Sequence, residues 1–109
     1  MAQFITTGDN GGITIDDNVV VAGHCYISAQ DHILTSDAPI RFQGETTQGI
    51  KIGFGAWIGG MCFVSDGVSI GNGCVVGAGS VVTKSLQSNM ICFGTPCREI
   101  QTRLKFDET

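Results

Sequence analysis

Large aliphatic residues recur at every sixth position along most of the chain. In the second half they are Ile52, Ile58, Val64, Ile70, Val76 and Val82, and upstream the same spacing runs Ile15, Val21, Ile27, Ile33. An amphipathic helix would need apolar residues at i, i+3 and i+4, and a half-buried strand would alternate by two. A period of six instead fits a short strand and a tight turn, repeated. The spacing therefore predicts an all-β solenoid with three flat faces and about eighteen residues in each coil.

The other columns of the repeat are consistent with this solenoid. Glycine contributes 16 of the 109 residues, far more than ordinary strands carry. The third position after each aliphatic is a turn column where a positive φ is expected, because glycine and asparagine adopt it most easily. Its members are Asn18, Gly55, Gly67, Gly73 and Gly79. The next column holds the compact residues that a narrow interior accepts: Val19, Cys25, Ala56, Cys62, Val68, Cys74 and Ser80.

Charge and cysteine usage narrow the possible partners and the compartment. The net charge is −4, so the overall basic excess of a nucleic-acid binder is missing. No apolar run approaches the length of a membrane span. The chain has five cysteines and no CxxC pair, which favours buried thiols in a reducing cytosol over a disulfide framework.

Four sequence segments resemble one known family. The rows Ile52–Trp57 and Ile70–Val75 are similar to the hexapeptide repeats of left-handed parallel β-helix proteins. The run Val76–Lys84 resembles the last coil of the hexapeptide-repeat O-acetyltransferases, and Gly94–Ile100 resembles the closing turn of that family. Among its subgroups, the maltose, galactoside and nodulation-type sugar acetyltransferases look most similar. The left-handed winding is implied by this resemblance and not by the period.

The resemblance and the repeat together predict one β-helix domain over residues 1–109. The repeats cover about 13–87 in three to four coils, and a terminal turn and short helix occupy about 88–109. Nineteen positions separate Ile33 from Ile52, which is more than whole rows need. Residues near 37–49 are polar and contain glycine and proline, so we expect an ejected loop there. Insertions in solenoids often lie on the binding face.

The family resemblance assigns a catalytic role to His32, which immediately precedes this loop. An imidazole with a pKa near 6.5 can remove the proton from a sugar hydroxyl as it attacks a thioester. Asp31 is an improbable partner for the ring, because neighbours in a strand point to opposite faces. The other histidine, His24, falls in the turn column, and we expect it to be an exposed turn residue.

The resemblance also implies an acyl-CoA donor, which would lie on backbone at turns of small residues. The residues assigned to the donor are Trp57, Gly59, Gly60, Gly77, Ala78, Lys84 and Arg98. Glycine allows close backbone approach, and Lys84 and Arg98 would face the phosphates of the coenzyme. Arg103 and Lys105 could assist, although no motif places them.

The sequence thus favours a cytoplasmic acetyltransferase that moves an acetyl group from acetyl-CoA to a sugar-like hydroxyl, without a metal. The family forms trimers with the active sites between subunits, so a homotrimer is expected. Only about thirty residues precede His32, and Asp9 and Asn10 are weak candidates for acceptor contacts. The chain could be a fragment, a minimal member, or a domain whose neighbours complete its site.

Two alternatives remain open at this point. A non-catalytic β-helix scaffold would keep the fold without needing a base and phosphate cations. A metal enzyme like the γ-class carbonic anhydrases would share the fold but needs three histidines at each site. The chain has two histidines, eight positions apart.

Overall fold

A computed structural model describes residues 4–6, 12–46 and 48–103. In these ranges the chain forms fourteen short strands and one 3-10 turn at Ile40–Phe42. Sheet 1 contains β2 (Ile13–Ile15), β7 (Ile50–Ile52) and β10 (Ser69–Ile70). Sheet 2 contains β3 (Val20–Val21), β8 (Trp57–Ile58), β11 (Val75–Val76), β13 (Met90–Gly94) and β14 (Cys97–Thr102). Sheet 3 contains β1 (Phe4–Thr6), β4 (Tyr26–Ser28), β9 (Phe63–Val64) and β12 (Val81–Val82). A separate pair consists of β5 (Asp31–His32) and β6 (Glu45–Thr46).

The register of the three sheets shows how the chain winds. Parallel pairing joins Ile52 to Ile70 in sheet 1, Ile58 to Val76 in sheet 2, and Val64 to Val82 in sheet 3. Partners are thus eighteen residues apart on every face, and the chain visits sheets 1, 2 and 3 in that order. Mostly parallel sheets built in this way fit a β-helix.

One apolar core lies inside the three sheets. The six aliphatic positions from Ile52 to Val82 are all buried, as the period predicts. Six members of the compact column are buried as predicted, and Val19 is half-buried; the buried members are Cys25, Ala56, Cys62, Val68, Cys74 and Ser80. The turn column is confirmed as well: φ is positive at Asn18, Gly55, Gly67, Gly73 and Gly79. The sequence period therefore reports side-chain direction and backbone conformation together.

The period fails at its N-terminal end. Ile33 lies outside the sheets and is half-buried, and its N–H donates to the Gly44 carbonyl at 3.1 Å. Ile15 keeps 42% of its surface exposed, because β2 is the last strand of sheet 1 in the described residues. Ile15 thus lacks the second neighbouring strand that covers Ile52.

Between β4 and β7 the chain leaves the parallel sheets. Strands β5 and β6 pair antiparallel, with His32 opposite Glu45. Across this segment Ile15 pairs with Ile52, a separation of 37 residues instead of eighteen. The insertion therefore adds nineteen residues to this coil, and it places His32 in a strand pair separate from the three sheets.

The C-terminal segment differs from the expectation. The expected terminal turn and short helix over about 88–109 are replaced by a strand hairpin as far as Thr102. Strand β13 continues sheet 2 parallel to β11, and β14 returns antiparallel beside it. The apolar run Met90–Phe93 suits a strand that covers the last coil. Helical geometry is assigned at Arg103, and residues 104–109 lie outside the described ranges.

Candidate active site

The turns that join sheet 2 to sheet 3 stack on one another and form a corner rich in glycine. We call residues 22–25, 59–62 and 77–80 the glycine corner. The Met61 N–H donates to the Gly23 carbonyl at 3.0 Å, and the Gly79 N–H donates to the Gly60 carbonyl at 2.8 Å. The structure thus brings Gly59, Gly60, Gly77 and Ala78 together, as the resemblance implies.

The members of this corner differ in what they offer to a ligand. Gly59 is buried, and a Cβ there would lie 2.7 Å from the Ala78 backbone nitrogen. Glycine is therefore required at position 59 because the next coil packs against it. The family resemblance implies a different role, in which Gly59 lets a coenzyme approach the backbone. Gly60 is half-exposed and a Cβ on it would meet nothing closer than 3.4 Å, and Ala78 is exposed. Gly60 and Ala78 form the open surface of the corner.

Phe93 is a residue at this corner that sequence reasoning missed. A Cβ on Gly77 would lie 2.6 Å from Cδ2 of Phe93, so the ring lies against Gly77. Phe93 remains 59% exposed. Cys92 pairs with Val76 in sheet 2, so Phe93 follows at the position that holds Gly77 one coil below. The six-residue period does not reach Cys92, so no signal in the sequence pointed to this aromatic residue.

Trp57 lies on the outer face of sheet 2, on the strand that leads into the glycine corner. It pairs in register with Val20 on one side and Val75 on the other. Half of its surface is exposed (51%), and Val20 beside it is also exposed. The tryptophan therefore adds an aromatic surface on the same strand, two residues before Gly59.

The two proposed phosphate cations lie at different places. Arg98 is opposite Phe93 in the β13–β14 hairpin, above Gly77 at the glycine corner. Lys84 follows β12, at the far edge of sheet 3. Both side chains are exposed, and neither has an ion-pair partner among residues 12–46 and 48–103. Each is therefore available to an anionic ligand.

Arg103, the next cation after Arg98, does not lie at the glycine corner. The Arg103 guanidinium donates to the Gly73 carbonyl at 2.9 Å, on the turn between sheets 1 and 2. It anchors the end of the chain at a corner away from the glycine corner. Lys105, Asp9 and Asn10 lie outside the described residues.

His32 lies beyond the end of sheet 3, in the same direction along the coil as Lys84. Its backbone N–H donates to the Asp31 carboxylate at 2.9 Å, so this carboxylate contacts the main chain. His32 is exposed, and no described side chain hydrogen-bonds its ring. Seven residues separate His32 from Cys25 at the end of the glycine corner, which is at most about 23 Å of extended chain at 3.3 Å per residue. Within one chain, the glycine corner and His32 therefore lie at opposite ends of sheet 3.

His24 is an exposed turn residue, as predicted. Its φ is +62°, and it belongs to the glycine corner one coil below Met61. Met61 shares the left-handed conformation with a φ of +58°.

Thiols line the inner side of the glycine corner. Cys25 donates from its Sγ to the Gly59 carbonyl at 3.1 Å, and Cys62 donates to the Gly77 carbonyl at 3.2 Å. Burial raises the pKa of the Cys62 thiol, which disfavours the thiolate. Cys62 therefore packs the corner as a neutral group and is a poor nucleophile.

Residues 4–6, 12–46 and 48–103 contain no group of three or more histidine, cysteine, aspartate or glutamate side chains that could hold a metal ion. In the same ranges no helix has the length and hydropathy needed to cross a membrane.

Comparison of the sequence with known proteins gives consistent matches. The family model "Bacterial transferase hexapeptide (six repeats)" matches residues 49–84. The chain is 38% identical over 98 residues to the galactoside O-acetyltransferase of Escherichia coli strain K12, covering 89% of this chain and 47% of that protein. It is 32% identical to the putative colanic acid biosynthesis acetyltransferase WcaF of the same strain, covering 96% of this chain and 59% of that protein. The chain spans about half the length of the curated relatives it matches.

Solved structures agree with these relatives. A galactoside acetyltransferase in complex with coenzyme A superimposes with a TM-score of 0.83 at 36% identity, covering 95% of this chain and 52% of that one. A maltose O-acetyltransferase from Clostridium difficile 630 gives a TM-score of 0.79 at 33% identity, covering 93% and 57%. Together with the repeat register and the glycine corner, these similarities show that the chain belongs to the hexapeptide-repeat acetyltransferase family.

Proposed function

We propose that this protein transfers an acetyl group from acetyl-CoA to a hydroxyl of a sugar or similar small acceptor. The observation that carries the proposal is the glycine corner, where Gly60 and Ala78 expose backbone and Arg98 lies above them without an ion-pair partner in the described residues. The 36% identity to a galactoside acetyltransferase bound to coenzyme A supports the same donor.

In this mechanism the donor lies along the glycine corner with Trp57 beside it. Arg98 and Lys84 neutralise its phosphates, and the backbone groups of Gly60 and Ala78 hold its pantetheine arm. His32 takes the proton of the acceptor hydroxyl as that oxygen attacks the thioester carbonyl. The tetrahedral intermediate then collapses, the carbon–sulfur bond breaks, and the coenzyme A sulfur leaves with the proton from His32.

The position of His32 leads us to place the active site between two subunits. Sheet 3 separates His32 and Lys84 from the glycine corner within one chain, so a neighbouring copy must supply the other half. A closed ring of three subunits gives three equivalent sites of this kind. In this arrangement a left-handed solenoid of three to four coils carries the loop near 37–49 to the acceptor side of each site.

The outer faces of the sheets support such an assembly. On sheet 3, the Tyr26 and Phe63 rings stack with centroids 5.5 Å apart. On sheet 2, Trp57 lies between two valines, whereas sheet 1 presents Lys51 to solvent. The two faces that flank the glycine corner are therefore the apolar ones, and a second copy would bury them. Free thiols at all five cysteines are compatible with a cytoplasmic location.

Two classes of acceptor, a hydroxyl and an amine, are compatible with the same acyl-CoA donor. Relatives with O-acetyltransferase names favour a hydroxyl. A solved N-acyltransferase from Bacillus cereus, in complex with dTDP and 3-hydroxybutyryl-CoA, shares the fold with a TM-score of 0.82 at 26% identity. An amine acceptor is therefore the second possibility to assay.

Calorimetry with acetyl-CoA tests the donor proposal. We expect Arg98→Ala and Lys84→Ala each to weaken binding by about tenfold, or ~1.4 kcal/mol, because each removes a cation facing a phosphate. Lys51→Ala is the matched control, since Lys51 is an exposed lysine on sheet 1. Absence of binding by the unaltered protein would contradict the transferase and favour a non-catalytic scaffold.

Sedimentation equilibrium tests the assembly proposal. We expect the mass of three chains at micromolar concentration, and dissociation of the trimer in Trp57→Glu because that change places a charge on the apolar face of sheet 2. Lys51→Glu serves as the control on the polar face. A stable monomer of the unaltered protein would count against a site shared by subunits.

A further inference from the structure

The glycine corner changes character from one coil to the next. Residues 24, 61 and 79 occupy equivalent positions in three consecutive coils, and all have positive φ values of +62°, +58° and +75°. The upper coil has Gly79 there, with no side chain. The lower two coils have Met61 and His24, both exposed.

Met61 is the unusual member of this column. Outside glycine, the left-handed region is visited mainly by asparagine, aspartate and histidine. Methionine has no short polar group to bond its own backbone, and the conformation costs about 1–2 kcal/mol. The structure nevertheless places it there with 73% of its surface exposed, so burial does not explain the choice. A costly residue kept at the edge of a candidate site is grounds for a functional hypothesis.

The direction of the donor along the corner gives Met61 a function. Arg98 lies at the C-terminal end of the corner, and Ala78 and Gly60 follow below it in successive coils. A donor with its phosphates at Arg98 and its arm on Ala78 and Gly60 therefore carries its thioester toward the lower coils. The exposed Met61 side chain flanks this end of the groove, because it directly follows Gly60 in the same turn.

We propose that the Met61 side chain closes the donor groove at its acyl end and restricts the enzyme to short acyl groups. This inference rests on the proposed function. The flexible thioether forms an apolar wall beside the thioester, and His24 lies one coil further on, about 4.8 Å away in the sheet direction. An acetyl group ends before this wall, whereas a longer chain must displace it.

The geometry allows an unusually clean substitution. Glycine adopts a positive φ without steric cost, so Met61→Gly removes the side chain without disturbing the turn. Its melting temperature should equal or exceed that of the unaltered protein. Asn18→Gly is the matched control, because Asn18 is an exposed turn residue with a φ of +61° at the corner between sheets 1 and 2.

The test compares kcat/KM for acetyl-, propionyl-, butyryl- and hexanoyl-CoA with one acceptor. We expect Met61→Gly to raise the butyryl-to-acetyl ratio by about tenfold, while Asn18→Gly leaves it unchanged. Met61→Leu, which keeps the apolar volume, should retain the original preference. An unchanged ratio in a folded, active Met61→Gly protein would overturn the inference and leave the proposed function standing. If the unaltered protein bound none of these donors, both proposals would fail together.

Discussion

Replacing His32 with alanine is expected to lower kcat by about 10²–10⁴-fold while acetyl-CoA binding stays within about twofold of the unaltered protein. The loss follows because a sugar hydroxyl is a weak nucleophile until a base removes its proton. Binding should survive, because His32 acts on the acceptor hydroxyl, whereas the proposed contacts to the donor phosphates and pantetheine arm come from Arg98, Lys84 and the glycine corner. Release of the coenzyme A thiol measures turnover, and calorimetry measures binding.

His24→Ala is the matched control for this experiment. Both histidines are exposed, but His24 lies in a turn of the glycine corner and His32 lies in the β5–β6 pair. We expect His24→Ala to retain turnover within about threefold, because proton transfer at the acceptor does not involve it. Full activity of His32→Ala would remove that residue as the base, and a large loss in His24→Ala would exchange the two roles.

A mixed-subunit experiment extends the same prediction to the assembly. If Arg98 and His32 of one site come from different chains, trimers formed from His32→Ala and Arg98→Ala subunits should regain activity. Each mixed trimer contains at least one interface where both residues are intact. Simple addition of the two weak activities would mean that both residues act within one chain.

The six-residue period predicted most of the fold because it reports both which side chains face the core and where the backbone turns. Ile58 and Val76 face the core in successive coils. The turn position three residues after Val76 has a positive φ, at Gly79. The period could not anticipate the C-terminal hairpin, where Val76 pairs with Cys92 at a separation of sixteen residues. There the repeat shortens, and packing of the apolar run on the last coil decided in favour of a strand.

The sequence predicted only some of the residues of the candidate site. Motif resemblance selected Gly60, Ala78 and Arg98, which the structure places at one corner. It could not separate Gly59 from Gly60, because the difference depends on how closely the next coil approaches each Cα. Nor could it reveal that His32 lies across a sheet from that corner, since a linear repeat does not specify which edge an insertion leaves from.

Alanine substitutions at Gly59 and Gly60 test how closely the next coil approaches each residue, through the free energy of unfolding. Gly59→Ala should lower the free energy of unfolding by about 2–3 kcal/mol, because the new methyl group would overlap backbone of the adjacent coil. A Cβ there would lie 2.7 Å from the Ala78 nitrogen and 2.9 Å from the Val76 carbonyl oxygen. Backbone held by the parallel pairing of β8 with β11 cannot move aside as a side chain would.

Gly60→Ala provides the control one residue away, with the same chemical change. Its nearest neighbour would be the Gly23 carbonyl oxygen at 3.4 Å, an ordinary contact, so we expect a change within about 0.5 kcal/mol. Urea denaturation followed by circular dichroism measures both variants, and equal m-values would show that the same transition is compared. Equal stability of the two variants would mean that coil-to-coil contact does not require glycine at 59. In that case the coenzyme role expected from the sequence would again be the better explanation for that residue.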